Sequence, residues 1–127
     1  MTRTTFVLLA VLAAPHSVRA ADVDRTEWMR GMEAALPEFF CQPRQYFRQC
    51  FRVSDADCRK LAASTARTCL ERYRPDLPPR LAQPADGIRW GNAVGSCAGT
   101  AYEKALSSRR VSSAKCNDPA QWTGAGG

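Results

Sequence analysis

Residues 41–70 read CQPRQYFRQCFRVSDADCRKLAASTARTCL and hold four of the six cysteines, Cys41, Cys50, Cys58 and Cys69. Ser54 with Asp57 three residues on resembles a capping box, which opens a helix. Its apolar stripe is Cys58, Leu61, Ala62, Thr65, Ala66, Cys69, Leu70 and Tyr73, and Pro75 stops it. Upstream, Pro43 suits a first helical position because its φ is already fixed. The helix it starts carries Tyr46, Phe47, Cys50 and Phe51. Only Arg52 to Ser54 join the two, so an antiparallel α-hairpin over 43–73 is expected.

The cysteines are then paired by distance. Cys58 and Cys69 lie eleven residues apart, about 16 Å along a helix, whereas a disulfide needs Cα atoms within about 7 Å. They face the same way but cannot bond each other. Counting outward from the turn at Val53 pairs Cys50–Cys58 inside and Cys41–Cys69 outside. Cys97–Cys116 follows by elimination. The nested ladder resembles the coiled-coil-helix-coiled-coil-helix proteins and their twin Cys-x9-Cys helices, although the intervals here are eight and ten residues. The resemblance covers about thirty residues and concerns geometry alone.

Outside the hairpin, Asp24 and Glu27 resemble a second capping box, followed by Trp28, Met29, Met32, Ala35 and Leu36 at helical spacing, with Pro37 ending or bending the segment. Residues 74–86 contain Pro75, Pro78, Pro79 and Pro84 and read as a loop. A fourth helix is expected from about Asp86 to Ser108, with Trp90, Val94, Cys97, Ala101 and Ala105 on one face. Gly87, Gly91, Gly95 and Gly99 recur every four residues, a row that favours close approach of a neighbouring backbone. From Asn117 the chain is Gly-rich, and 117–127 reads as a flexible tail anchored only by Trp122. The fold class is therefore a small all-α, disulfide-stapled bundle of about four helices.

The first twenty residues differ from the rest. Arg3 precedes a charge-free apolar run from Phe6 to Ala14, Pro15 breaks it, and Val18-Arg19-Ala20 offers small residues where a signal peptidase reads. The run is too short to span a bilayer, which takes roughly twenty residues. Residues 1–20 are read as a cleaved secretory signal, 21–116 as the domain, and the protein as periplasmic or secreted. Cleavage leaves 107 residues and, with Arg3 and Arg19 gone, lowers the net charge from +6 to +4. Six cysteines in so short an exported chain read as three disulfides rather than a metal site.

The lone His16 leaves with the signal, which removes histidine-activated nucleophiles and imidazole–zinc sites from the mature chain. An enzyme would have to work through carboxylates, with Glu33, Glu38 and Glu103 as candidates. Glu33 and Glu38 straddle Pro37, and Asp55 and Asp57 sit where acidic groups favour a helix N-terminus. The reading is thus a binder, not an enzyme, with no cofactor and no metal. Arg44, Arg48 and Arg52, spaced by four, would form one ridge on the second helix, and planar guanidinium forks suit carboxylates or phosphates. With Tyr46, Trp28 and Trp122 they are the expected partner-binding residues. A further arginine group, Arg72, Arg74, Arg80 and Arg89, surrounds the proline-rich loop. The expected partner is another protein with an acidic face; nucleic acid is not expected, and weak association with an anionic membrane surface is a secondary expectation. The specific expectation is an immunity protein that neutralises a periplasm-acting toxin, such as a type VI secretion effector. The alternatives are an envelope assembly factor, such as a pilot or chaperone of a secretion system, and a small cell-wall hydrolase.

Overall fold

The computed structural model describes residues 21–122; the expected signal peptide and the end of the tail lie outside them. Three long helices carry the fold: α1 (Arg25–Phe40), α3 (Asp55–Tyr73) and α4 (Ala85–Ala105), with a one-turn helix α2 (Tyr46–Gln49) between the first two. A two-residue strand β1 (Val23–Asp24) pairs antiparallel with β2 (Arg80–Leu81) and ties the start of α1 to the proline-rich loop. The result is the expected small all-α, disulfide-stapled fold.

Local chemistry sets the helix ends. Asp24 accepts from the Thr26 and Glu27 amides, and Ser54 accepts from the Asp57 amide, so both caps satisfy amides that the first helical turn leaves free. Pro37 does not end α1, which continues to Phe40, where the Cys41 amide closes the last turn on the Pro37 carbonyl. Pro75 stops α3 as expected. The α3 stripe packs α1 on one side and α4 on the other. Ala62, Ala66 and Leu70 meet Leu36, Phe40, Val94, Ala98 and Tyr102 in a single core. Cross-links between Glu38 and Arg59, and between Glu33 and Arg67, fix α1 antiparallel to α3. Cys69–Cys97 and the Tyr73–Trp90 ring contact do the same for α3 and α4.

The hairpin and its ladder require correction. The segment after Cys41 is not a helix opening at Pro43 and carrying Phe51; it makes only the one turn of α2 and is strand-like at Phe51. The neighbour of α3 is α1, so the Cys41 cap of α1 bonds Cys58 in the first turn of α3. Cys50 bonds Cys116, and Cys69 bonds Cys97. None of Cys41–Cys69, Cys50–Cys58 and Cys97–Cys116 forms. The reason is the backbone at Phe51, which bridges Arg110. Released from a helix, this backbone pairs with the chain beyond α4: Arg52 N–H donates to the Arg109 carbonyl at 2.8 Å, and Val111 N–H to the Cys50 carbonyl at 2.9 Å. That brings Cys116 to Cys50. Cys58 and Cys69 are both buried, and they bond different neighbours, the α1 cap and α4.

The tail is also ordered further than expected. Pro119–Gln121 form a 3-10 turn capped by Asp118, and the Trp122 ring lies 5.6 Å from that of Tyr46. The glycine row is engaged at its two ends and open in the middle: a Cβ on Gly87 would meet the Gln83 side chain. A Cβ on Gly99 would meet the Phe47 ring at 3.2 Å, whereas one on Gly91 or Gly95 would meet nothing within 4 Å.

Candidate functional site

The residues expected to bind a partner do not form one surface. Trp28 packs in the core, 9 % exposed, rather than standing on an open surface as expected. Only Arg48 of the expected arginine ridge lies within a helix, because α2 is a single turn. It donates to the Cys41 carbonyl at 3.1 Å and to Asp55 at 2.7 Å, with its side chain 22 % exposed, so it braces the α1–α3 junction. Arg52 reaches the Ser108 carbonyl, and Arg44 is exposed in the turn before α2. Tyr46 and Trp122 pack on each other and on a clasp of cations. Arg110 lies over the Tyr46 and Phe51 rings and donates to the Tyr46 hydroxyl, while Lys115 covers Trp122. Burial, followed by a hydrogen bond with Glu103, raises the Tyr46 phenol above its ordinary pKa.

The candidate carboxylates are likewise engaged. Glu33 pairs with Arg67 at 2.9 Å, and Glu38 pairs with Arg59, which also binds Asp55. Those two carboxylates hold the Arg59 guanidinium above its ordinary pKa. Glu103 faces Tyr46. The second arginine group disperses. Arg74 makes a two-pronged contact with Glu71, whose carboxyl it lowers. Arg80 donates to the Asp22 carbonyl, Arg89 lies over Trp90, and Arg72 points at a disulfide.

That last arginine marks a groove of about 510 Å³ between α3 and α4. Thr68, Cys69, Arg72 and Tyr73 line one wall, with Ala93, Ser96, Cys97, Thr100, Ala101 and Lys104 on the other. The spacing explains the shape. Positions 68, 69 and 72 on α3, and 93, 97, 100, 101 and 104 on α4, fall on one face of each helix, and the α4 set is small up to Lys104. Small side chains leave the gap that Cys69–Cys97 spans. Arg72 and Lys104 are the charged lining groups, and no acid is among them, so the groove presents positive potential over hydroxyl and apolar walls. A smaller groove of about 180 Å³ between α1 and α3 is lined by Arg30, Glu33, Arg67, Glu71 and Arg74 among others, but its charges largely cancel in pairs.

Sequence reasoning grouped Arg72 with the arginines around the proline-rich loop and did not place Lys104 beside it. The visible signal was a cation following each cysteine at helical spacing, three residues on in α3 and seven in α4. It becomes legible only once Cys69 and Cys97 are known to be partners. Among the described residues no cluster of metal-ligating side chains occurs, and no helix is long and apolar enough to cross a membrane.

In comparisons with known proteins, a family model described as "NttA: T2SS substrate NttA" matches residues 22–117. No curated protein and no solved structure matches.

Proposed function

The chain belongs to the NttA family of T2SS substrates, and from that premise we propose that it is a type II secretion cargo that acts after export by binding a protein, without catalysis. The family and the three disulfides make it an exported, periplasmic or secreted protein. The match begins at residue 22, just past the cleavage expected after Ala20, which supports reading 1–20 as a removable signal. Nothing supports the finer reading of a periplasmic immunity protein or a type VI toxin inhibitor, and a cargo that leaves the periplasm would be misplaced for that role.

The observation that carries the binding proposal is the α3–α4 groove, with two cations and no acid on a cross-linked framework. A rigid scaffold loses little entropy on docking, and a basic groove favours an acidic segment of a partner protein. The test has two arms. Inactivating the type II machinery should shift the protein from culture supernatant to periplasm; equal amounts outside the cell would refute the cargo reading. Reversing both cations (Arg72→Glu with Lys104→Glu) should weaken partner capture several-fold and flatten its salt dependence. Undiminished capture would move the binding face elsewhere. A deletion strain that became sensitive to toxin-bearing siblings would restore the immunity reading.

A further inference from the structure

The three bridges are not equally reachable. Cys41, Cys50, Cys58 and Cys69 are at most 2 % exposed and Cys116 is 7 % exposed. Cys97 is the partly exposed member, and it opens directly onto the α3–α4 groove, where it sits with Arg72 and Lys104. The Arg72 Nη1 lies 3.7 Å from the Cys97 Sγ.

We propose that Cys97 is a thiol-exchange site at which a small carboxylate-bearing thiol opens the Cys69–Cys97 bridge while the other two stay closed. Exchange needs a thiolate to approach one sulfur along the S–S axis, so access and local charge decide which bridge reacts. The groove supplies both. It has room for a small peptide-sized thiol, and Arg72 and Lys104 attract the thiolate and carboxylates that such a molecule brings. The thiolate sulfur bonds to Cys97 Sγ as the Cys69–Cys97 bond breaks. Cys69 leaves with the electron pair and takes a proton from water, and Cys97 now carries the mixed disulfide. A second equivalent of the same thiol attacks the added sulfur, releasing the small-molecule disulfide and a Cys97 thiolate that faces the Arg72 guanidinium. Two thiols are thereby oxidised for one bridge reduced.

The experiment treats the folded protein in native buffer with reduced glutathione, which carries net negative charge, or with cationic cysteamine. Each rate is normalised to that thiol's rate on an unstructured disulfide peptide. Acid quenching, alkylation and peptide mapping then identify the opened cysteines. The expected result is labelling of Cys69 and Cys97 ahead of the rest, a glutathione adduct on Cys97, and a several-fold preference for glutathione. Arg72→Gln should remove most of that preference, and Arg80→Gln, outside the groove, should leave it. Three bridges opening together, another bridge opening first, or an adduct on Cys69 would overturn the proposal. So would an Arg72→Gln protein that kept the full preference or slowed both thiols equally.

Discussion

Tyr102 is fully buried in α4, and its hydroxyl donates to the Phe47 carbonyl at 2.9 Å while lying 3.2 Å from the Cys58 Sγ. Its ring meets Phe40, Phe47 and Phe51 edge-on, so one side chain joins α4, α2 and the strand-like segment after it. Tyr102→Phe keeps the ring and removes the hydroxyl, leaving the Phe47 carbonyl without that donor. Losing one partner of a buried hydrogen bond costs about 1–3 kcal/mol, and in a domain of this size each kcal/mol moves Tm by about 4–8 °C. A second signature follows from titration. Burial pushes the Tyr102 phenol up to about 12, with Arg48 pulling weakly the other way, against an ordinary value of 10. The folded state therefore holds the proton after the unfolded state has released it. The wild-type advantage is full below pH 10 and shrinks as pH rises through 10 towards 12, by up to about 2.7 kcal/mol. Denaturant midpoints of both proteins at pH 8, 10 and 11, taken quickly with bridges verified intact, should show a gap that narrows with pH. Tyr46, also raised, contributes the same slope to both and cancels. Equal midpoints at pH 8, or a gap unchanged at pH 11, would refute this account of Tyr102.

The glycine row gives a graded test. Gly91→Ala and Gly95→Ala should each stabilise by up to about 0.5–1 kcal/mol, since helix propensity improves and no neighbour obstructs the added methyl. Gly99→Ala should lose that gain against Phe47, whose ring is stacked on Phe40 at 4.0 Å; thermal melts of the three variants would show the split. Trp28→Ala should cost about 3–5 kcal/mol as a core truncation, whereas Arg44→Ala, at an exposed turn position, should stay within about 0.5 kcal/mol. Urea titration separates these two, and reversed magnitudes would return Trp28 to the surface.

The helix caps show what was locally encoded. Asp24 and Ser54 act on amides two and three residues away, so the bonds they make were legible in the chain order. The α3 stripe was legible for the same reason, since a period of 3.6 residues is carried by neighbours along one helix. The Pro43 helix failed because local pattern competed with a distant strand partner. Tyr46 to Arg52 have helical spacing, yet Cys50 to Arg52 gain backbone hydrogen bonds from Arg109 and Val111, more than fifty residues away. The arginine spacing of four failed with it, because a ridge exists only if the helix does.

The amino-acid order by itself determined an all-α, three-bridge exported domain with no histidine beyond His16, and where its long helices begin. Those properties depend on composition and on contacts within a few residues. Which cysteines pair, which tryptophan is buried, and where Arg72 points were decided only by the tertiary structure. Each depends on which helix lies beside which, and that is settled by fitting whole apolar faces together. Thus α3 chose α1 and α4 as neighbours over the short segment it follows, and that choice joined Cys69 to Cys97 and opened the basic groove beside them.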